Sequence, residues 1–158
     1  MHPTASHLPA KSRAQIAAAL DACLVDGVDL YTQTKVAHWN TKGPNFAALH
    51  PLFDTFASAI AATNDEIAER AVTLGATASG TARGVAKTSR IPEYPAGTTD
   101  GLAHAALLAE RFGVYLGGLR AAREVAEGLK DTDSVDLLTG FVAEFEKHAW
   151  FLHATVER

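Results

Sequence analysis

Apolar residues recur at intervals of three and four along four long stretches of this sequence. That spacing places them on one side of an α-helix, so the pattern predicts four amphipathic helices. Their expected ranges are Ser12 to Trp39, Phe46 to Leu74, Thr98 or Thr99 to Gly128 with Asp100 in the first turn, and Thr132 or Asp133 through Val156. Helices of this length and polarity are typical of a bundle.

The breaks between the predicted helices indicate how they connect. Gly43 and Pro44 mark a turn before the second helix, and Asn45 is the expected N-cap of that helix. Residues 75–98 are rich in glycine and lack a sustained apolar periodicity, with room for one short helix between Thr81 and Ser89. Two short connections and one long crossover between the second and third helices match an all-α, ferritin-like four-helix bundle.

Length and composition narrow the class of protein. At 158 residues the chain is expected to form one bundle domain, residues 11–158, after a flexible N-terminal tail of residues 1–10. The formal net charge of −4 provides no general attraction for nucleic acid. The single Cys23 cannot form an internal disulfide. No apolar run in the sequence is long enough to span a bilayer. The N-terminal residues also do not have the pattern of a secretory signal. We therefore expect a cytoplasmic location, including the nucleoid, and no membrane partner.

The second predicted helix carries four metal-type side chains on one side. At about 100° per residue, His50, Asp54, Asp65 and Glu69 fall within an arc of roughly 100°, away from the bulky apolar residues of that helix. His38 lies near the end of the preceding helix. Imidazole and carboxylate ligands together suit iron, zinc or manganese better than calcium or copper(I). The pattern therefore indicates a metal site.

Within one helix these ligands form two groups that cannot share an ion. Asp54 and Asp65 are about 16 Å apart at about 1.5 Å per residue, whereas such ligands lie about 2 Å from a transition metal. Positions 50 and 69 share their midpoint with positions 54 and 65, near residues 59 and 60. An antiparallel copy that crosses there brings His50 toward the partner's Glu69, as an isologous two-fold contact allows. The alternative is a solvated acidic face beside an incidental histidine.

Three segments of the chain carry a resemblance to a known family. Residues 35–56 read KVAHWNTKGPNFAALHPLFDTF, residues 64–70 read NDEIAER, and the last predicted helix contains SVDLLTGFVAEFEKHAWF. The first two segments contain His-Trp-Asn, Gly-x-x-Phe, Leu-His with an acid four residues later, and Asp-x-x-x-Glu-Arg. From about residue 12 onward the chain resembles the Dps family, the mini-ferritins of the ferritin-like superfamily.

The resemblance implies a ferroxidase centre that two subunits share. Its implied ligands are His38, His50 and Asp54 of one subunit with Asp65 and Glu69 of the two-fold partner. Trp39 would supply an electron or quench a radical there, or else serve as an aromatic packing anchor. Family members form hollow homo-dodecamers that oxidise Fe(II) with hydrogen peroxide, in preference to oxygen, and store ferric mineral. This chemistry protects against oxidative damage, and zinc or manganese could occupy the same ligands.

The resemblance also implies iron-uptake pores at three-fold axes, lined by acids from the start of the last helix. The matching candidates in this chain are Asp133, Asp136 and Glu144. Acids that line a pore attract cations toward it. An acid in the first turn, such as Asp133, equally serves to stabilise the helix dipole.

Two other functions stay open from the sequence. Family members that condense DNA often use a mobile tail rich in lysine and arginine, whereas this tail region has Lys11 and Arg13 as its strong cations. We therefore expect weak, salt-sensitive DNA binding at neutral pH. One alternative is a nucleoid-binding structural protein with a weak or vestigial metal site. The other is a zinc-type site that only joins two subunits.

Overall fold

The computed structural model describes residues 1–157, which form a bundle of four long helices and one short helix. The elements are α1 (Ala10–Asn40), α2 (Phe46–Thr73), α3 (Ala82–Thr88), α4 (Gly101–Gly128) and α5 (Thr132–Val156). Helix α1 packs along α2, α4 packs along α5, and α1 also contacts α4, while the short α3 lies on α1 within the crossover. The predicted four-helix bundle with one long crossover is confirmed. No helix in the described part of the chain is long and apolar enough to cross a membrane.

One hydrophobic core joins the four long helices. Its aromatic centre links α2, α4 and α5: the ring centroids of Phe56 and Phe112 are 5.6 Å apart, and those of Phe112 and Phe145 are 5.8 Å apart. These separations are typical of favourable tilted aromatic pairs. Leu20 and Leu30 of α1 are fully buried in the same core. The packing fixes α1 against α2, and the outer surface of that helix pair carries the candidate ligands.

Acidic side chains of α1 anchor the crossover. The carboxylates of Asp21, Asp26 and Asp29 accept hydrogen bonds from Ser79, Arg90 and Ser89, respectively. Asp26 is fully buried, and its oxygen lies 2.7 Å from Nη2 of Arg90. Because a buried carboxylate without its partner is strongly destabilising, this pair specifies the path of the crossover over α1.

The predicted start of α2 is correct but its expected capping bond is missing, and the start of α4 differs from the prediction. Asn45 occupies the N-cap position of α2, but within residues 1–157 its side chain makes no capping hydrogen bond. Asp100 precedes α4 instead of lying in its first turn, and its side chain accepts a hydrogen bond of 2.8 Å from the backbone N–H of Ala103. The side chain thereby satisfies an amide that has no partner inside the helix. This cap makes Gly101 the first residue of α4.

The C-terminal end of α2 forms a Schellman motif, in which Gly75 directly follows the C-cap residue Leu74. The N–H of Ala76 donates to the oxygen of Ala71, and the N–H of Gly75 donates to the oxygen of Val72. Gly75 has a φ of +91°. That left-handed conformation favours glycine, which has no Cβ to collide with the backbone.

Candidate metal centre

The outer side of α2 carries the metal-type side chains that the sequence predicts. Asp54, Asp65 and Glu69 are exposed and His50 is partly buried, whereas Phe53 is fully buried in the core. Helix α2 is unbroken over its 28 residues. Residues 54 and 65 therefore stay about 16 Å apart along its axis. One chain presents two separate half-sets of candidate ligands.

The first half-set joins α1 to α2 through two histidines. The rings of His38 and His50 stack with 3.8 Å between their centroids. Nδ1 of His38 lies 2.8 Å from the backbone oxygen of His50, and Nδ1 of His50 lies 2.9 Å from the backbone oxygen of His38. Because a carbonyl oxygen only accepts hydrogen bonds, each Nδ1 carries the hydrogen. In the neutral form of each ring the lone pair is therefore on Nε2, which is the form of imidazole that binds a metal.

Pro51 lies inside α2 directly after His50. Proline has no backbone N–H and disfavours helical geometry in the residue before it. His50 nevertheless keeps both reciprocal hydrogen bonds with His38, and its ring stacks on Phe46 with 4.9 Å between centroids. These contacts outweigh the effect of Pro51 on the backbone of His50, and they fix the orientation of the His50 ring.

Asp54 lies beside the two rings and is held by Lys35 of α1. The Oδ1 atom of Asp54 is 4.0 Å from Nε2 of His38 and 2.6 Å from Nζ of Lys35. The hydrogen bond from Lys35, followed by its charge, lowers the pKa of Asp54, so this side chain is an anion at neutral pH. Lys35 is not among the residues predicted from the sequence, although it lies one helical turn before His38 and therefore on the same side of α1.

The second half-set, Asp65 and Glu69, lies one helical turn apart further along α2, and both side chains are exposed. Within residues 1–157 no group of three or more His, Cys, Asp or Glu side chains is arranged to hold a metal ion. The structure brings His38, His50 and Asp54 together and leaves the second half-set apart from them. A centre that uses all five ligands therefore needs two chains.

Trp39 follows His38 at the end of α1, and its side chain is 67% exposed. The Nζ atom of Lys35 lies 5.9 Å from the centroid of the indole ring, within the range of a cation–π contact. An indole this exposed is not a packing anchor for the core of its own subunit. It is accessible to the candidate centre or to a second subunit.

The acids suggested for an uptake pore occupy separate turns of α5. Asp133, Asp136 and Glu144 are all exposed. Asp133 lies in the first turn of the helix, and its carboxylate is 4.0 Å from Nη2 of Arg70 on α2. A place at the start of α5 fits either a pore or the helix dipole.

The buried carboxylate near the start of α5 is Asp131, which is not among the residues predicted from the sequence. It lies 2.7 Å from Nη2 of Arg70 and accepts a second hydrogen bond from the hydroxyl of Ser134. Burial raises the pKa of Asp131, but the hydrogen bonds from Ser134 and Arg70 outweigh burial and lower it overall. Its position directly before the predicted helix was the available signal, because aspartate is common at N-caps.

The chain matches the family described as Ferritin-like domain over residues 17–158. Over 156 residues it is 35% identical to the DNA protection during starvation protein of Agrobacterium fabrum, which covers 99% of this chain and 96% of that protein. Identity at this level over nearly all of both chains shows that they belong to one family.

Solved structures agree with this assignment. The Dps protein of Vibrio cholerae O1, described as a member of a broad superfamily of ferritin-like diiron-carboxylate proteins, has a TM-score of 0.93 at 28% identity and covers 99% of this chain and 98% of its own. Dps of Mycobacterium smegmatis in its tetragonal form has a TM-score of 0.92 at 31% identity, with coverage of 99% and 95%. The family match, the full-length relative and the bundle geometry establish that this chain belongs to the Dps family of ferritin-like proteins.

Proposed function

We propose that this protein oxidises Fe(II) at centres shared between two subunits and stores the ferric product in a hollow dodecamer. Iron is the substrate and the cargo of this reaction. The observation that carries the proposal is the pair of locked imidazoles, because both Nδ1 atoms are engaged by backbone oxygens and both Nε2 atoms are left as ligands. The ionised carboxylate of Asp54 lies beside them.

The arrangement of ligands along α2 supports a shared centre. A two-fold partner whose α2 runs antiparallel and crosses near residues 59 and 60 places the partner's Glu69 near His50 and the partner's Asp65 near Asp54. Ser58, Ala61 and Ala62 are exposed near that crossing, so two helices can approach closely there. Each two-fold dimer then holds two equivalent centres, and a single chain holds none.

The ligand set suits the oxidation of Fe(II). Carboxylates stabilise Fe(III) more than Fe(II) because the attraction grows with the charge of the ion. One molecule of hydrogen peroxide takes one electron from each of two Fe(II) ions and, with two protons, becomes two molecules of water. Two electrons are consumed together, so hydroxyl radical is not released. The ferric product then hydrolyses and is stored as mineral, which protects the cell from iron and peroxide at once.

Lys35 and Trp39 give this centre two further features. Fe(II) must displace the ammonium of Lys35 from Asp54, since both cations compete for the same oxygen. Trp39 would donate an electron or quench a radical that escapes the centre, and its exposed ring, 5.9 Å from Nζ of Lys35, supports that role. Exposed Asp133, Asp136 and Glu144 are proposed to guide Fe(II) into the shell.

A second candidate function is DNA binding by a structural protein whose metal site is weak or vestigial. The observation that favours it is similarity to proteins named for DNA protection during starvation. The net charge of −4 and the small number of cations near the N-terminus argue against strong binding at neutral pH. A gel-shift assay across salt concentrations separates the two candidates, because tight binding at physiological salt would favour the second.

The proposed function is tested by loading the assembled protein with Fe(II) anaerobically, adding peroxide or air, and following ferric absorbance. Wild type should oxidise Fe(II) faster than protein-free buffer and faster with peroxide than with air. The His50→Ala/Asp54→Ala variant should lose this activity while it stays assembled, and His153→Ala, an exposed histidine on α5, should keep it. Oxidation no faster than buffer in wild type would contradict the proposal. Loss of assembly in the double variant, without any oxidation to lose, would favour the zinc-type structural site.

A further inference from the structure

The N-terminal residues 2–8, here called the strap, lie against the C-terminal end of α2. The backbone N–H of His2 donates to the oxygen of Gly75 at 2.6 Å, and the hydroxyl of Thr4 donates to the oxygen of Thr73 at 2.5 Å. Leu8, at the end of the strap, is buried and belongs to the hydrophobic core. The strap therefore has both polar and apolar attachments to its own subunit.

The strap completes the capping of α2. The last carbonyl groups of a helix have no partner inside that helix. The Schellman motif satisfies the oxygens of Ala71 and Val72. The strap supplies donors to the oxygens of Thr73 and Gly75, and Nη1 of Arg13 donates to the oxygen of Leu74 at 3.1 Å. The oxygens of Thr73 and Gly75, at the end of the helix that carries the candidate ligands, thus depend on the strap, and that of Leu74 depends on Arg13 of α1.

Gly75 shows that the sequence accommodates the docked strap. A Cβ atom at this position would lie 2.6 Å from the backbone oxygen of His2, a distance that real Cβ contacts do not reach. Glycine is therefore required here for two reasons, since its φ of +91° also disfavours a side chain. A substitution at Gly75 would displace the strap without changing a residue of the strap itself.

We propose that docking of the strap is coupled to metal binding through the end of α2. Glu69 lies one helical turn before Thr73, whose oxygen the strap holds, so an ordered end of α2 keeps Glu69 in place. Release of the strap lets the last turns of α2 open and weakens the contribution of Glu69 to its centre. Coupling of this kind is reciprocal, so a bound metal strengthens docking of the strap. The inference rests on the proposed function in taking Glu69 as a ligand.

The chain offers a matched set of variants for testing this coupling. Gly75→Ala should displace the strap. Gly97→Ala is its control, because Gly97 has a similar φ of +80° but no heavy atom of residues 1–157 lies within 4 Å of the position of its Cβ. A second releasing variant, His2→Pro with Thr4→Val, removes the donors to the oxygens of Gly75 and Thr73, together with the contact of Nε2 of His2 with the hydroxyl of Thr77, and leaves every residue of α2 unchanged.

Hydrogen–deuterium exchange and anaerobic Fe(II) titration of the assembled protein then measure the two sides of the coupling. In both releasing variants the amides of residues 70–76 should exchange about tenfold faster than in wild type, and the affinity for Fe(II) should fall severalfold. Gly97→Ala should match wild type in both measurements. Saturating Fe(II) should slow exchange in residues 2–8 of wild type and should have no such effect in Glu69→Gln.

Each possible failure identifies the step that is wrong. Unchanged exchange of residues 70–76 in both releasing variants would overturn the capping role of the strap. Faster exchange without any loss of Fe(II) affinity would overturn the coupling and leave the proposed function intact. Rapid, unprotected exchange of residues 2–8 in wild type would instead support the flexible tail expected from the sequence. Wild type that binds no Fe(II) would overturn the proposed function and the coupling with it.

Discussion

Two pairs of histidines in this protein differ in their surroundings: one is the candidate metal-binding pair, and the other lies in the core. His38 and His50 are partly buried where α1 meets α2, and each Nδ1 is held by a backbone oxygen. His104 and His148 are buried inside the bundle. The first pair has an anionic carboxylate beside it, that of Asp54, whereas the second pair lies among aromatic rings.

Burial dominates the chemistry of the second pair. The ring of His148 lies 4.7 Å from that of Phe56, and its Nδ1 has no hydrogen-bond partner in the described part of the chain. Burial lowers the pKa of His148 and outweighs the charge of Glu144. Burial also lowers the pKa of His104, which shares a 2.6 Å hydrogen bond with Tyr94. A perturbed pKa alone therefore does not mark a candidate ligand, whereas in the first pair Nε2 of His38 lies 4.0 Å from the anionic carboxylate of Asp54.

The largest expected difference between the pairs is in iron oxidation. His50→Ala should reduce the rate of Fe(II) oxidation by about 100-fold or more, since loss of a ligand costs at least as much as loss of the groups that orient it. His148→Ala should keep the wild-type rate per assembled centre. The measurement is ferric absorbance after peroxide addition, with assembly checked by size-exclusion chromatography. Equal losses of oxidation rate in His50→Ala and His148→Ala would contradict the distinction between the two histidine pairs.

The two variants should rank in the opposite order in their effect on stability, with the larger loss in His148→Ala. His148→Ala leaves a cavity among Phe56, Phe112 and Phe145, so it should lower the free energy of unfolding by about 2–4 kcal/mol. His50→Ala removes a partly buried ring at the edge of the bundle and should cost about 1 kcal/mol. Denaturant unfolding of the metal-free protein at one fixed concentration checks both values, because assembly and ligands change apparent stability. A larger loss of unfolding free energy in His50→Ala than in His148→Ala would contradict the contrast between the two pairs.

The buried pair should also make stability depend on pH. The folded state lowers the pKa of His104 and His148 below the unfolded value of about 6.5, so it favours their neutral forms. Their contribution to stability is complete above pH 6.5 and is lost as the pH falls through the folded pKa values. Metal-free wild type should therefore lose stability on acidification below pH 6.5, and His148→Leu should lose less. If the free energy of unfolding falls equally steeply on acidification in wild type and in His148→Leu, then His148 does not contribute to the pH dependence.

The smallest expected effect concerns the cation beside the first pair. Lys35→Met should let the pKa of Asp54 rise toward its ordinary value and should increase Fe(II) affinity severalfold at neutral pH, because the competing ammonium is removed. Lys87 is exposed on α3, so Lys87→Met is the control and should leave the affinity for Fe(II) unchanged. Anaerobic Fe(II) titration measures both variants. Weaker binding in Lys35→Met would mean that Lys35 supports the centre.

Local patterns in the sequence were sufficient for the helices and for the candidate ligands. Apolar spacing predicted the four long helices, since burial of one helical face controls their formation, and the same periodicity placed His50, Asp54, Asp65 and Glu69 on one side of α2. Helix ends were harder to predict. Whether the side chain of Asn45 or Asp100 caps a helix depends on the exact path of the chain before that helix.

Contacts between distant residues could not be predicted from periodicity. The ion pair of Lys35 with Asp54 and the reciprocal hydrogen bonds of His38 with His50 depend on the register of α1 against α2, which the whole core sets. Asp131 is buried because Arg70 reaches it from α2, and no local pattern records that pairing. The second half of the candidate centre needs another chain, so it stays a prediction.

The central claim, that each centre is shared by two subunits, is tested most directly by complementation. One variant carries His50→Ala and Asp54→Ala, and the other carries Asp65→Ala and Glu69→Ala. Each alone should assemble without oxidising Fe(II) faster than buffer. In a mixed two-fold dimer both damaged half-sets meet in one centre and both intact half-sets meet in the other. Mixed assemblies, purified through a different tag on each variant, should therefore regain oxidation. No recovery in verified mixed assemblies, or full activity in either variant alone, would contradict the shared centre.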